Sequence, residues 1–244
     1  MLSIVYHFCL VLSWLYHVQS VDVINPQQLE FLQSFYDVLG GTNWNWRSEA
    51  YGAIWSFSES SAANPCAAPL WQGITCGECE PYYGEEICSV TSIELPGYNL
   101  VGTLESVNYF SYMEMLKVFN LNDNTLTGYL SYDMNYMYYL ENMTMDNNQI
   151  LGFYPGSTYE YTSLRALSMA NNAMVGSTPS FIASSTGLMA LDLSGNSLTG
   201  GITNSIGVVD SFVTFNLADN QLTGEIKISN NIVVFVLLSL YISV

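Results

Sequence analysis

LMALDLSGNSLTG, residues 188–200, is one copy of a phrase that recurs through the second half of this 244-residue chain. In each copy apolar and polar residues alternate, an Asn follows, and a Gly ends the phrase. Four other copies follow the same pattern: LKVFNLNDNTLTG (116–128), LENMTMDNNQILG (140–152), LRALSMANNAMVG (164–176) and FVTFNLADNQLTG (212–224). A looser copy, VTSIELPGYNLVG (90–102), carries Tyr98 in place of the Asn. Adjacent asparagines are 24 residues apart, and this fixed period predicts a stacked-repeat architecture: Asn124, Asn148, Asn172, Asn196 and Asn220.

The composition of one repeat explains this period. Alternation such as Leu191–Asp192–Leu193 is typical of a short strand with one buried face. One such strand cannot bury its apolar side alone, but stacked neighbours share a continuous core. The turn after each strand leaves buried backbone N–H and C=O groups, and an amide side chain can both donate to them and accept from them. The sequence therefore predicts a structural ladder of the five asparagines along the stack.

Bulk properties agree with a packed domain and exclude some functions. The hydrophobic fraction is 50%, which is typical of a chain with a sizeable core. The formal charge is −17, with only 4 Lys and Arg residues against 21 Asp and Glu residues. Such a chain is repelled by phosphate backbones, so we expect no nucleic-acid partner.

The first residues have the pattern of a targeting segment. An apolar run, residues 4–16, precedes Val18-Gln19-Ser20, which is typical of a cleavage site. Residues 1–20 are therefore interpreted as a secretory signal peptide, with an uncleaved membrane anchor as the alternative.

A helix and a tryptophan-rich segment follow. Asn25 is suited to cap the helix, Pro26 to begin it and Gln28 to complete a capping box. Five apolar residues then mark one helical face before Gly40-Gly41 ends it: Leu29, Leu32, Phe35, Tyr36 and Leu39. After this come three tryptophans and the phrase WQGITC at 71–76: Trp44, Trp46 and Trp55.

This arrangement, together with the repeats, resembles the plant-type leucine-rich repeat proteins with an amino-terminal cap, over roughly residues 27–226. The resemblance implies an α/β solenoid: a leucine-rich repeat horseshoe of about six 24-residue repeats with a helical, disulfide-bearing N-terminal cap. It divides the chain into a cap at 21–89 and repeats at 90–231. Methionines replace the usual leucine at four core positions, where we expect them to fill space less specifically: Met143, Met145, Met169 and Met174.

Four cysteines remain once residues 1–20 are removed: Cys66, Cys76, Cys79 and Cys88. An even number in a secreted chain predicts disulfides, and spacing alone leaves three connectivities open. A zinc site and a redox-active Cys76–Cys79 pair are alternatives. The resemblance implies the pair Cys66–Cys76, with Cys79–Cys88 then closing an acidic loop.

The carboxyl end, residues 232–244, is almost wholly apolar. Thirteen residues are too few to span a membrane comfortably. An incomplete repeat, a removable tail for a lipid anchor, a truncated chain and part of a membrane helix all remain open. Membrane association is therefore expected only through a terminal segment.

Catalysis is not expected. Both histidines, His7 and His17, lie in the predicted signal peptide, so a Ser–His–Asp or Cys–His device is excluded in the mature chain. The glycines belong to the repeats and form no phosphate loop. Asp123 and Asp146 remain as a carboxylate pair of the glycosidase type, but a shallow sheet offers no pocket to separate their pKa values. We predict no cofactor and no metal.

Binding is the preferred function. Polar residues on the strands and in the following turns are predicted to form a ligand-binding strip on the concave face: Glu94, Asn120, Asp123, Thr144, Asp146, Asn147, Ser168, Asn171, Asp192, Asn216 and Asp219. An extended peptide, a protein or a wall polysaccharide suits such a face, with a co-receptor needed for signalling. The alternatives are a structural or adhesive wall protein and a strip that only confers solubility. The sequon at Asn142 predicts glycosylation in the middle of the strip.

Overall fold

The computed structural model describes residues 22–57, 64–82, 85–201 and 212–223. The predicted signal peptide at 1–20 and the apolar tail at 232–244 lie outside the described residues. Most of the predicted cap and repeat segments lie inside them.

Short strands are the main regular secondary structure of the described chain, which also contains one α-helix, α1 (Pro26–Val38). No helix among the described residues is long and apolar enough to cross a membrane. The 3-10 helices are Gly41–Asn43, Glu49–Tyr51, Leu104–Ser106, Phe110–Tyr112, Tyr132–Tyr136 and Ser180–Ala183. The strands are β1 (Asp22–Ile24), β2 (Ile74–Cys76), β3 (Glu80–Tyr82), β4 (Glu85–Cys88), β5 (Val90–Glu94), β6 (Val101–Thr103), β7 (Val118–Asn120), β8 (Thr125–Leu130), β9 (Asn142–Thr144), β10 (Gln149–Phe153), β11 (Ala166–Ser168), β12 (Val175–Gly176), β13 (Ala190–Asp192), β14 (Ser197–Gly201), β15 (Thr214–Asn216) and β16 (Gln221–Thr223).

The main sheet has seven strands in the order β15-β13-β11-β9-β7-β5-β2. The six strands from β5 to β15 pair in parallel, and each lies near the start of one copy of the repeated phrase. Strand β2 pairs antiparallel with β5 at the amino-terminal edge. Because the later copies are 24 residues apart, equivalent residues meet across each pair, as Phe119 meets Met143 and Met143 meets Leu167.

The core lies on one side of this sheet. In β7, β9, β11, β13 and β15 the middle residue is buried, while the residues on either side of it are partly or fully exposed. This is the alternation that the sequence predicted. The four methionines at leucine positions are also buried in this core: Met143, Met145, Met169 and Met174.

Two smaller parallel sheets form where the chain leaves the asparagine position. Their orders are β10-β8-β6 and β12-β14-β16. The sequence analysis did not predict these strands, because each carries few buried apolar side chains; Leu126 in β8 and Leu198 in β14 are examples.

Helix α1 begins as predicted, but its residue Gln28 has a different role from the predicted one. The Asn25 side chain accepts a hydrogen bond from the Gln27 backbone N–H at 3.0 Å, and Pro26 occupies the first turn. The predicted capping box at Gln28 is wrong. The buried Gln28 side chain instead accepts from the Val90 N–H at 2.8 Å and donates to the Tyr112 carbonyl at 3.0 Å. It therefore joins the helix to the first repeat rather than to its own first turn.

Aromatic rings fill the space between α1 and the first strands. The indole N–H of Trp44 donates to the Leu39 carbonyl at 2.8 Å, and that of Trp55 donates to the Gln72 carbonyl at 2.8 Å. Phe35 packs against both indoles, with ring centroids 6.0 and 6.2 Å apart. The end of the repeat core next to β2 is thereby covered by apolar surface from the helix and the tryptophans.

The cysteines form two disulfides, Cys66–Cys76 and Cys79–Cys88. The resemblance implied Cys66–Cys76 and left Cys79–Cys88 to close the acidic loop, so the disulfide prediction is confirmed. Because all four sulfurs are paired, the zinc site is wrong. The redox alternative is also wrong, since Cys76 and Cys79 bond to other partners.

Candidate functional site

The outward residues of the main sheet form one straight row, which we call the polar column. Each member lies in register with the next across the parallel strands, and at a strand spacing of about 4.8 Å the row is about 24 Å long. Glu94 is exposed and the other members are half-buried. The polar column consists of Glu94, Asn120, Thr144, Ser168, Asp192 and Asn216.

The carboxyl-terminal half of the polar column is held by its own hydrogen bonds. Asp192 Oδ1 accepts from the backbone N–H and the hydroxyl of Ser194, at 2.9 and 2.6 Å. Its Oδ2 accepts from Asn216 Nδ2 at 3.0 Å, and Asn216 Oδ1 accepts from the Ala218 N–H at 3.1 Å. These bonds fix the rotamers of Asp192 and Asn216 and occupy many of the hydrogen-bond donors and acceptors of their side chains.

Asp146 belongs to a parallel row and is bound in the same way. Its Oδ1 accepts from the Ser168 hydroxyl at 2.6 Å and from the Ala170 N–H at 2.7 Å. Asn122 Oδ1, one repeat earlier, accepts from the Asp146 N–H at 2.7 Å. Asp146 thus links neighbouring repeats, a structural role that the sequence analysis did not assign to it.

The next row lies in the turn after each strand, and we call it the turn column. Every member has a positive φ, between 53° and 72°: Gly97, Asp123, Asn147, Asn171, Gly195 and Asp219. Gly, Asn and Asp are the residues that tolerate this left-handed conformation. Asp123, Asn147, Asn171 and Asp219 were predicted to bind ligand. Their positive φ gives a second reason, independent of ligand binding, for Asn or Asp at these positions. The sequence could have predicted this conformation, because only Gly, Asn and Asp occur at this position of the six repeats.

Side chains of the turn column also bond to one another. Asn147 Nδ2 donates to Asp123 Oδ1 at 2.7 Å, and Asn171 Nδ2 donates to Asn147 Oδ1 at 3.0 Å. The carboxylates of Asp123 and Asp146 therefore both accept hydrogen bonds from neighbouring repeats. Acceptors used in this way hold the repeats in register, which is a different task from acid–base chemistry.

The five asparagines that follow the turn column form the amide ladder: Asn124, Asn148, Asn172, Asn196 and Asn220. Asn148 illustrates the pattern. Its Nδ2 donates to the carbonyls of Leu121, Met145 and Asp146 at 3.0 to 3.2 Å, and its Oδ1 accepts from the Leu126 N–H at 3.0 Å. The other four repeat this set with their own neighbours.

Tyr98 stands at the first level of the ladder. Its hydroxyl donates to Gln72 Oε1 at 3.3 Å, and the Arg47 guanidinium lies 5.0 Å from the centre of its ring. Burial raises the pKa of Tyr98, while the Arg47 charge opposes that rise. Arg47 also donates to the Pro96 carbonyl at 3.0 Å. In the first described repeat, a tyrosine bonded to the segment that precedes β2 therefore takes the place of the amide.

Asn142 of the sequon is the first residue of β9 and is half-buried. It pairs with Val118 and Ala166 on the neighbouring strands. It lies two residues before Thr144 of the polar column, so a glycan attached here would cover the middle of that row. Glycosylation at Asn142 stays a prediction.

Two features of the surface were missed in the sequence. The first is a group of partly exposed tyrosines after the first two strands of the repeats, which we call the tyrosine surface: Tyr109, Tyr112, Tyr132, Tyr136, Tyr138 and Tyr139. The rings of Tyr109 and Tyr112 stack at 5.5 Å, and those of Tyr136 and Tyr138 meet edge to face at 6.2 Å. The second is a pair of exposed apolar residues beside the main sheet, Met189 and Val213.

Comparison with known proteins agrees with this geometry. The family model described as Leucine Rich Repeat matches residues 187–208. A comparison with curated proteins finds no matching relative. Among solved structures, the ectodomain of the Arabidopsis thaliana receptor kinase SOBIR1 is similar, with 21% identity, a TM-score of 0.50 and coverage of 84% of this chain and 85% of that one.

Two other receptor kinase structures are similar. Pollen Receptor Kinase 3 has 24% identity and a TM-score of 0.53, with 69% of this chain and 76% of that chain covered. The ectodomain of GASSHO1/SCHENGEN3 from Arabidopsis thaliana has 22% identity and a TM-score of 0.54; 80% of this chain but only 24% of that longer chain is covered. The described residues therefore have the leucine-rich repeat fold of these plant receptor ectodomains, and the resemblance drawn from the sequence is confirmed.

Proposed function

We propose that this chain is an extracellular recognition module that binds an extended ligand along the polar column and performs no catalysis. The observation that carries this proposal is the in-register row of six polar side chains on a sheet whose turns are fixed by the amide ladder. A preorganised row of this kind orders few side chains on binding, which favours affinity. The ligand classes are a peptide, a protein segment or a wall glycan.

The wider architecture belongs to the same proposal. The main sheet forms the concave face of a horseshoe of about six repeats within residues 90–231, and residues 21–89 cap its amino-terminal end. Residues 1–20 direct secretion. Two disulfides support an oxidising, extracellular setting. Signalling requires a co-receptor, and any membrane association runs through a terminal segment.

The amino-terminal half of the column is where a ligand gains most. Glu94 is exposed, and one of its carboxylate oxygens accepts from the Ser92 hydroxyl at 2.9 Å. Asn120 Oδ1 accepts from the Asn122 N–H at 3.1 Å, which leaves the two donors of its amide nitrogen directed away from that bond. Thr144 follows on the next strand. The bonds around Asp192 hold the other half of the column rigid.

A solved structure with this fold supports a binding function for the present chain. The GASSHO1/SCHENGEN3 structure was determined in complex with CASPARIAN STRIP INTEGRITY FACTOR 2. The present chain covers only 24% of that receptor, so the identity of its own ligand rests on experiment.

A matched pair of threonine variants tests the proposal. Thr144→Arg places a long cation on the polar column, whereas Thr127→Arg places the same side chain on β8 of the second sheet. Both would be compared for binding to an arrayed library of nine-residue peptides and to insoluble wall polysaccharide. We expect at least a roughly tenfold loss for Thr144→Arg and no more than a roughly twofold change for Thr127→Arg. Equal binding by both variants would remove the polar column as the interface.

The tyrosine surface favours a second candidate, an adhesive wall protein. Aromatic rings with an exposed face and a polar hydroxyl provide apolar contact at low conformational cost, and sugar rings stack on such faces. Adhesion through this surface predicts binding to insoluble polysaccharide that Tyr136→Ala and Tyr138→Ala weaken together and Thr144→Arg leaves unchanged. The reverse order of effects would support recognition on the polar column instead.

Glycosylation at Asn142 would separate these candidates further. An unmodified Asn142 leaves the polar column open, whereas a glycan would cover it. The intact mass of protein secreted by its natural source measures the occupancy. Full occupancy would contradict binding along the middle of the column.

A further inference from the structure

The edge of the main sheet where the strands begin differs chemically from the polar column. The residues immediately before β7, β9, β11, β13 and β15 are, in order, Lys117, Glu141, Arg165, Met189 and Val213. Their backbones form one row, since the N–H of Met189 donates to the Arg165 carbonyl and that of Val213 to the Met189 carbonyl, both at 2.7 Å. Neighbouring members are thus about 4.8 Å apart.

One end of this row is apolar and exposed. Met189 is 46% exposed and Val213 is 60% exposed. The adjoining strand residues Ala166 and Ala190 are in register, with small side chains that leave space above them. Large exposed apolar side chains on an otherwise polar ligand face mark an interaction site more strongly than scattered ones.

A cation borders this apolar area directly. Arg165 is exposed, and its Nη1 donates to the Gly187 carbonyl at 3.1 Å. A Cβ atom on Gly187 would overlap the Arg165 guanidinium, so the glycine is what allows the side chain to lie in this position. A guanidinium carries five N–H donors, so one carbonyl bond leaves donors for a carboxylate.

The charge distribution makes this combination distinctive. The chain has only 4 Lys and Arg residues and a formal charge of −17. Two of those four, Lys117 and Arg165, lie in this row on either side of Glu141. An anionic group is therefore repelled by most of the molecule and attracted here.

We infer that Arg165, Met189 and Val213 form a subsite for a peptide ligand in which an apolar side chain lies next to a carboxylate. This subsite, which we call the edge subsite, rests on the proposed function because it deepens recognition by the same sheet. The apolar side chain packs on Met189 and Val213 above Ala190, and the carboxylate binds the Arg165 guanidinium. A neutral glycan offers neither group, so the edge subsite selects peptides over polysaccharides.

An arrayed library of nine-residue peptides tests the edge subsite directly. Each peptide with an apolar–acidic pair would be matched to one with the amide, Asn or Gln, in place of the acid. We expect the wild-type chain to prefer the acid by about tenfold or more, and Arg165→Gln to lose that preference. The double variant Met189→Ser, Val213→Ser should lose the apolar preference and keep the acidic one. Lys117→Gln removes the same charge two strands away and should change binding by no more than about twofold.

The outcomes separate the subsite from the proposed function. If Thr144→Arg abolishes peptide binding while Arg165→Gln and the double variant leave the preferences intact, the edge subsite is wrong and recognition by the polar column stands. If Lys117→Gln removes the acidic preference as strongly as Arg165→Gln, the preference is a general charge effect and the subsite is again wrong. If only polysaccharide binds, the edge subsite is wrong and the proposed function stands. If neither peptide nor polysaccharide binds, or if no variant of the column or the row alters binding, the proposed function fails as well.

Discussion

Single residues in this fold are best understood by asking what a buried polar group bonds to. Tyr159 and Tyr161 stack at 5.8 Å inside the repeat core, and both are buried. The Tyr159 hydroxyl donates to the Leu130 carbonyl at 3.2 Å and accepts from the Tyr154 N–H at 3.2 Å. Within the described residues the Tyr161 hydroxyl has no hydrogen-bond partner. Two neighbouring phenols therefore have opposite consequences for stability.

Replacing each with phenylalanine measures this difference. Tyr161→Phe removes an unpaired buried hydroxyl, and we expect the free energy of unfolding to rise by about 1 kcal/mol. Tyr159→Phe removes a hydrogen-bonded hydroxyl and takes this partner from a backbone carbonyl and an N–H. We therefore expect the free energy of unfolding to fall by about 1–2 kcal/mol. Urea denaturation followed by circular dichroism gives both values. A destabilised Tyr161→Phe protein would show that its hydroxyl has a partner.

The adjacent residues Asn147 and Asn148 separate ladder chemistry from turn conformation. Asn148→Ala removes one hydrogen bond from each of three carbonyls and leaves the Leu126 N–H without its side-chain partner, and we expect the free energy of unfolding to fall by about 3 kcal/mol. Asn147→Gly keeps the residue suited to its φ of 57° and should change the free energy by less than about 1 kcal/mol. Equal effects in the same denaturation experiment would contradict the amide ladder as a source of stability.

Elements of secondary structure were predicted unevenly from the sequence. The six parallel strands follow from alternation around residues such as Leu191, because burial on one face determines both the pattern and the strand. The second sheets around β8 and β14 could not be predicted in this way, since their pairing comes from backbone groups brought together by stacking. The capping-box prediction for Gln28 was wrong for a related reason, since it considered only residues close in sequence. Its position three residues after Asn25 suits that motif, but its partners in the first repeat are distant in sequence.

The docking of α1 on the repeats should depend on that one side chain. Gln28→Met conserves its size but leaves the Val90 N–H and the Tyr112 carbonyl unpaired, which costs about 2–4 kcal/mol. Gln27→Met is the matched control because Gln27 is exposed on the same turn of the helix. Hydrogen exchange should accelerate in α1 for Gln28→Met alone. Protection of α1 equal to that of the control would show that the tryptophan cluster suffices to hold the helix.

At the scale of the whole molecule, the sequence period predicted the leucine-rich repeat fold, but it did not predict the side-chain contacts between repeats. The leucine-rich repeat fold and the disulfides followed from spacing and resemblance. Which polar groups remain open to a ligand did not follow, because Asp146 and Asp192 use partners in the next repeat or beyond the end of the strand. The tyrosine surface was also missed, since its residues lie between the repeated phrases.

Global stability should fall at alkaline pH because of the buried tyrosines. Burial raises the pKa of Tyr159 from 10.0 to about 12, and burial also raises the pKa of Tyr161 well above its ordinary value. Below pH 10 the phenols are neutral in both states and their contribution is complete. Above it the unfolded chain releases protons first, so stability decreases between pH 10 and about 12. Urea midpoints at pH 9, 10 and 11 measure the decrease.

Two variants identify its source. Tyr159→Phe should make the decrease smaller, whereas Tyr136→Phe, which alters an exposed tyrosine, should leave it unchanged. A decrease of the same size in all three proteins would assign the alkaline effect to the overall negative charge of the chain instead.

The amide ladder has a direction, since each asparagine serves the backbone of its own coil and of the coil before it. Asn172 reaches Met145 in the preceding coil, as Asn148 reaches Leu121. A chain shortened by one unit of 24 residues, from Glu141 to Leu164, would give every remaining amide a chemically equivalent set of neighbours. Length is therefore free to change by duplication or loss of whole units, and the number of positions offered to a ligand changes with it.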